Sequence, residues 1–397
     1  MRTIILVMVL AIWILPSCIE PFTPNLENTR RIMVVEGFIT DENRTYTVKL
    51  SYTFQKLDVA SEKISGATVT IQDMDGPDFI LKEKRNGVYS SDSLLHQGIV
   101  GHRYLLYIKT RTGEIYNSDT CFMYPVPDID SVYYKYATQV SENSSSIEEG
   151  ISFYIDTKAP ADNEAYYRWT FEEDWMFEIP FPKQIIVVDD SLIADLPEIK
   201  NKQCWKHNNS GSINVFSKAE QNSETIKAHQ IHFVDPLATD RFGSKYSLLV
   251  KQHSISEEEY LFWSDLKSSN QTSGDLFEKQ AYAIRTNIRN LNDASEPVIG
   301  IFQVSAVKSK RIYITAGQVR SQGIYRFYKP FVNCEAVDSA TTEYPDVISY
   351  FENLGLELVA PMYDVSGLSI IGLRFASRPC SDCSVWGNPK KPSFWQD

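Results

Sequence analysis

The chain has 397 residues, with 39 Lys and Arg against 51 Asp and Glu, giving a formal charge of −12. That sign argues against a nucleic-acid binder, which needs a basic face, and 43% hydrophobic with 23% charged residues excludes a disordered chain and a multi-span membrane protein. The length suits roughly two or three domains, and 22 Tyr with 20 Phe favour strands over a helical bundle.

The N-terminus reads as an address. Arg2 supplies a positive start, Ile4 to Leu15 is an unbroken apolar run of 12 residues, and Leu15-Pro16-Ser17 leads into Cys18. This is the layout of a secretory signal, and the run is too short for a membrane span of about 20 helical residues. Residues 1–17 are expected to be removed. Leu15 to Cys18 resemble a lipobox, after which a diacylated cysteine becomes the first residue of a lipoprotein. The resemblance implies palmitate-type lipidation of Cys18, and several acyl chains suffice for stable membrane attachment. Residues 18–30, with Pro21, Pro24 and no periodic pattern, read as a tether. Glu20 stands where an acidic run in Bacteroidota lipoproteins resembles a surface-export signal.

The body is expected to be mainly β. From Arg31 to residue 125 apolar and polar residues alternate in short runs broken by turns. Strands are predicted at Ile32–Ile39, Tyr46–Leu50, Ala67–Ile71, Gly87–Tyr89 and Tyr104–Ile108. Asp73-Met74-Asp75-Gly76 and Arg85-Asn86-Gly87 carry hairpin chemistry, because Asp-Gly and Asn-Gly tolerate positive φ. Calcium ligation by Asp73 and Asp75 is disfavoured, since the twelfth-position Glu of an EF-type loop is missing. Ile64–Ile71 with Asn86–Tyr89 resemble immunoglobulin- or transthyretin-like modules, which implies a β-sandwich over 31–125. Tyr124-Pro125-Val126-Pro127-Asp128 is a stiff joint. Residues 126–397 then read as a larger β-rich region, a fibronectin-like module followed by a C-terminal β domain. Its clearest strands are Ile151–Ile155, Tyr166–Phe171, Val298–Val304 and Arg311–Ala316, with edges near Tyr325–Tyr328 and Leu368–Phe375; residues 172–200 lack a clear period. One short helix is predicted, where Ser256 and Glu259 match a capping box and Tyr260, Trp263 and Leu266 follow at helical spacing.

Beyond Cys18, the cysteines are Cys121, Cys204, Cys334, Cys380 and Cys383. An exported chain permits disulfides, and two bridges with one free thiol are the simplest arithmetic, with Cys204, Cys334, Cys380 and Cys383 as the candidates and connectivity open. Cys380-Ser381-Asp382-Cys383 is preferred as a structural staple. A redox dithiol wants a helix N-terminus that Pro379 and Trp386-Gly387-Asn388-Pro389 make improbable, and zinc lacks a second such pair. His229 and His232 lie in a predicted strand, where residues three apart face opposite ways and cannot share a metal. No hydrolase elbow, zincin or phosphate-loop motif occurs, and Glu172-Glu173 or Asp189-Asp190 are ordinary in a chain this acidic. No cofactor, metal or catalytic residue is therefore expected. Asp-Ser pairs at Ser93, Ser131, Ser191 and Ser339 are similar to the O-glycosylation pattern of exported Bacteroidota proteins, with strand burial as a veto.

Cys18-Ile19-Glu20-Pro21-Phe22, Val34-Val35-Glu36-Gly37, Tyr166-Tyr167-Arg168-Trp169, Cys204-Trp205, Tyr246-Ser247 with Val250 and Gln252, and Cys380 to Cys383 followed by Lys391-Pro392-Ser393-Phe394-Trp395 resemble, in that order, a Bacteroidota lipoprotein family, domain of unknown function 4249. The family pattern is departed from around Ala281 to Asn287, where a Pro-rich step and then Gly-Asn-Ile are usual and Thr286-Asn287-Ile288 stands instead. The resemblance implies an outer-membrane lipoprotein associated with TonB-dependent receptors. The expected function is thus a lipid-anchored, surface-exposed, non-enzymatic accessory or substrate-binding partner of such a transporter, with Trp175, Phe177 and Phe181 as contact aromatics on loops if they are not core. An adhesin or envelope-assembly component binding protein or glycan is the alternative, and a hydrolase with an unrecognised site the third.

Overall fold

A computed structural model describes residues 31–53, 61–92, 97–140, 146–158, 166–188, 191–194, 199–218, 225–271, 285–340 and 345–396. The signal, Cys18, the tether, Ser93 and the Asp189-Asp190 pair lie outside the described residues. The chain is mainly β, as expected, and among the described residues no helix is long and apolar enough to cross a membrane.

Alternation lays down the first strands near their predicted places: β1 (Met33–Thr40), β2 (Thr47–Tyr52), β3 (Thr68–Asp73), β4 (Phe79–Arg85), β5 (Val88–Ser91), β6 (Arg103–Lys109), β7 (Ile115–Ser118) and β8 (Cys121–Phe122). In β1, Met33, Val35 and Ile39 turn inward while Glu36 stays in solvent. Asn86-Gly87 is the two-residue link from β4 to β5; Gly87 has φ of 69°, and a Cβ there would lie 2.5 Å from the Leu50 carbonyl oxygen. Beyond the joint run β9 (Ile129–Val140), β10 (Ile147–Lys158), β11 (Tyr166–Glu178), β12 (Ile185–Val188), β13 (Ser191–Ala194), β14 (Gln203–Asn209), β15 (Asn214–Ser217), β16 (Thr225–Val234) and β17 (Lys245–Ile255). Helix α1 (Glu257–Gln271) precedes β18 (Ile288–Asn290), β19 (Val298–Ser305) and β20 (Val307–Thr315). The C-terminal part adds α2 (Ala316–Ser321), β21 (Ala336–Ser339), α3 (Asp346–Asn353), β22 (Leu356–Tyr363), β23 (Ile370–Ser377) and α4 (Arg378–Ser381). Three short helices thus join the expected one, and Tyr325–Tyr328 is irregular rather than an edge strand.

The expected immunoglobulin- or transthyretin-like sandwich over 31–125 is replaced by a different arrangement. The first eight strands belong to one ten-stranded sheet, ordered β18-β7-β6-β3-β4-β5-β2-β1-β19 with β8 on β6, so two strands from beyond residue 285 complete it. β19 runs parallel to β1, pairing Met33 with Val298 through Thr40 with Ser305. The sheet curls into a near-barrel whose two edges are bridged by a side chain. The Asn287 amide donates to the Phe302 carbonyl oxygen at 2.9 Å and accepts from the Phe302 N–H at 3.0 Å, standing in for a missing strand.

β19 continues almost directly into β20, with only Ala306 between, and so passes from the near-barrel into a sandwich. One sandwich sheet is β16-β10-β9; the other is β14-β11-β17-β20 with β15 on β11. Odd-numbered residues of β11, among them Tyr167, Trp169 and Phe171, pack inward against Phe153, Ile155, His229 and His232. Near-barrel and sandwich share one apolar core. The C-terminal sheet β21-β23-β22 has its own small core around Leu373 and Phe375, to which the β12–β13 hairpin contributes Ile185 and Leu192. It is tied back by Cys204–Cys383 and Cys334–Cys380, each with Cα atoms 5.6 Å apart, while Cys121 is a buried free thiol.

Candidate functional site

Helix α1 starts where the sequence places it. Glu259 N–H donates to Ser256 Oγ at 3.2 Å and Ser256 N–H to Glu259 Oε2 at 2.8 Å, closing the capping box. The other oxygen of Glu259 accepts from Val304 N–H at 2.6 Å and pins the helix to β19. That anchorage leaves Phe262, Trp263 and Leu266 over the outer face of β1 and β19 and beside the face of β11 and β17 that the sandwich does not use. The enclosed cleft has a volume of about 550 Å³, within the usual range for a small-molecule pocket. Val34, Phe38, Ile299 and Ile301 furnish apolar walls. Gly300 is required on this wall: its φ is 116°, and a Cβ would sit 1.8 Å from the Val35 carbonyl oxygen.

The floor is polar and orders itself. Gln303 Oε1 accepts from Arg168 Nη1 and from Trp263 Nε1, both at 3.1 Å, and Gln303 Nε2 donates to Ser305 Oγ at 3.2 Å. Ser305 Oγ also lies 3.2 Å from His253 Nδ1, and His253 Nε2 lies 3.1 Å from Thr170 Oγ1, so both ring nitrogens are hydrogen-bonded to hydroxyls. Burial, reinforced by Arg168 and Lys251, lowers His253 to about 3 and keeps it neutral. This Ser–His pair is structural in form, since Ser305 is fully buried and its oxygen is already engaged. The Arg168 guanidinium lies 3.7 Å from the centroid of the Trp263 ring.

Charges on the rim are matched with one exception. Lys251 Nζ reaches Glu172 at 3.0 Å and Glu42 at 3.3 Å, Arg44 reaches Glu42 at 3.6 Å, and Glu36 is held by Lys49 at 2.8 Å. Arg168 has no carboxylate within ion-pair distance among the described residues, and its hydrogen bond to Gln303 occupies one of its five N–H donors. Burial lowers its pKa to about 10, with Glu259 pulling the other way, so it stays charged at neutral pH.

The residues singled out by sequence lie elsewhere. Trp175 and Phe177 are 7% and 4% exposed, because β11 runs on through residue 178 instead of giving way to a loop; Phe181 packs beside Cys380 and Val359. The first two are core, not contact aromatics. Trp175 Nε1 donates to Asp240 Oδ1 at 3.0 Å, and its ring carries Arg241. Ser131 is half-buried in β9, Ser191 is exposed at the start of β13, and Ser339 is buried in β21, out of reach of a modifying enzyme in the folded chain. The two histidines of the HxxH share a face, contrary to strand alternation. A bulge opposes Phe153 to His232 and Tyr154 to Gln230, so both rings enter the sandwich, His229 beside Trp169 and His232 beside Phe171. Among the described residues no group of three or more His, Cys, Asp or Glu could hold a metal. Arg168 and Trp263 stand in segments the sequence singles out, but their convergence depends on β19 pairing with β1, and that long-range parallel pairing leaves no local pattern.

No curated protein matches the sequence. The family model for the domain of unknown function DUF4249 matches residues 19–311, which takes in the near-barrel, most of the sandwich and every residue of the cleft, and the chain belongs to that family.

Proposed function

We propose that the protein is an outer-membrane lipoprotein, anchored through the lipid on Cys18 and facing the cell surface, that binds a small molecule as the accessory partner of a TonB-dependent transporter. The observation that carries the binding half is the cleft: apolar walls, an ordered polar floor and a guanidinium without a carboxylate, on the one face of β11 and β17 left open by the sandwich. The signal, the lipobox-like Leu15 to Cys18 and the family membership support the location. We read the chain as a binding protein rather than an enzyme. Exposed Val365, Leu368 and Ile371 near the β22–β23 turn suit contact with a second protein.

The test is purification of a C-terminally tagged chain from native outer membranes in mild detergent. A TonB-dependent barrel in stoichiometric amount is expected. The lipoprotein alone, or with envelope-assembly factors, would overturn the transporter partnership in favour of adhesion or envelope assembly.

A further inference from the structure

We propose that the ligand of this cleft is an amphipathic monoanion, with an apolar body lodged against Phe38, Phe262, Ile299 and Ile301 and a single carboxylate held by the open edge of Arg168. The inference rests on reading the cleft as a binding site and adds the chemistry of its occupant.

The charge arrangement selects one anionic group. Of the three cations at the cleft, Lys251 and Arg44 face Glu42 or Glu172, and the third cleft carboxylate, Glu36, is neutralised by Lys49. Only Arg168 has no carboxylate within ion-pair distance among the described residues; Glu259 acts on it from farther off, and burial keeps that carboxyl largely protonated at neutral pH. A buried cation without a countercharge is costly, and an incoming carboxylate supplies it with bidentate geometry that a guanidinium fits better than an ammonium. Gln303 fixes Nη1, and Trp263 covers one face of the guanidinium plane. The group is therefore oriented before a ligand arrives, which reduces the entropy lost on binding. A second anionic group would find no unmatched cation at the cleft among the described residues, and a cation would meet Arg168.

The experiment is isothermal titration of the full mature chain in detergent with two probes of one shape, naphthalene-2-carboxylate and 2-naphthylmethanol. The carboxylate is expected to bind at least about tenfold tighter, the size of one desolvated charge-assisted contact. Arg168→Gln should bring the two probes within about twofold of each other. Leu266→Glu, at a half-buried position of the cleft wall one helical turn after Trp263, brings a second carboxylate into the cleft and should weaken the acid at least tenfold while sparing the alcohol; it serves if Arg168→Gln does not fold. Equal affinities in the wild type, or a preference that survives both substitutions, would overturn the anion assignment while leaving a binding cleft. Binding of neither probe, or binding unchanged in Phe38→Ala/Trp263→Ala, would overturn the cleft reading as well.

Discussion

Glu173 shows how much a single residue of this chain depends on distant sequence. Its carboxylate is fully buried and accepts from Arg241 Nε and Nη2 at 2.8 and 3.0 Å, Tyr246 Oη at 2.8 Å, Asn208 Nδ2 at 2.9 Å and His232 Nε2 at 3.0 Å. Burial alone would raise the carboxyl; the bonds from His232 and Arg241 outweigh it and hold it far below the ordinary carboxylate value. Because the folded value is depressed, the stability Glu173 confers is present above about pH 4.5 and lost as pH falls below it. Glu173→Gln is expected to cost about 3–5 kcal/mol at pH 7 in urea unfolding, since it strands Arg241, with the gap to wild type narrowing in acid; a cost under about 1 kcal/mol would contradict this. Glu259 has the opposite sign. Burial raises it to about 8 against the pull of two backbone N–H groups, so wild type should lose stability relative to Glu259→Gln as pH rises from 4.5 to 8. Melting temperatures at pH 5 and pH 8.5 check the direction, and a widening wild-type advantage at high pH would refute it. In the sequence Glu173 is one acid among 51. Its partners lie 35 to 73 residues away, and no local pattern distinguishes it from Glu172.

At the scale of elements, what is local was legible and what is remote was not. The Asn86-Gly87 hairpin and the Ser256–Glu259 capping box are read correctly because the backbone requirement and the residue meeting it are within four positions. The second half of β11 was missed because Glu172, Glu173 and Asp174 interrupt its apolar alternation, each with a partner supplied by another strand or loop. Sandwich topology over 31–125 was misread for a similar reason. β1 finds its second neighbour in β19, 265 residues on, a parallel pairing that leaves no turn signature. Asn287 closes the near-barrel through its two hydrogen bonds to Phe302. Asn287→Leu keeps the volume but leaves the Phe302 N–H and carbonyl without the amide, at an expected cost of about 2–3 kcal/mol. Amide exchange at Phe302 should accelerate in step, and unchanged protection would show that the seam is held by something else.

For the whole molecule, the disulfides decide how the C-terminal part is held. Cys204–Cys383 joins β14 to the turn after α4 across 179 residues, and Cys334–Cys380 spans 46. Four candidate cysteines were visible in the sequence, but connectivity was not, since pairing is set by which loops the fold brings together. The last residues are pinned as well. Trp395 meets Trp205 and Tyr313 edge-on, Arg311 lies over Phe394, and Tyr313 Oη donates to the Phe394 carbonyl oxygen at 2.5 Å. Removing the longer bridge in Cys204→Ser/Cys383→Ser relaxes the unfolded chain by as much as about 5 kcal/mol. Limited proteolysis should then cut first between residues 320 and 396, leaving a fragment that retains near-barrel, sandwich and cleft. Cleavage beginning in β1–β8 would contradict the separate small core of the C-terminal sheet.

The cleft is where these scales meet, since it needs β1 and β19 paired, α1 anchored by Glu259 and Arg168 oriented by Gln303. Its occupancy is tested most directly by native mass spectrometry of the chain purified under mild conditions from the cells that make it. The account expects a small-molecule adduct on wild type that is lost from an Arg168→Gln/Trp263→Ala variant of unchanged melting temperature. An adduct equally present on both, or a wild-type chain that carries none, would contradict it.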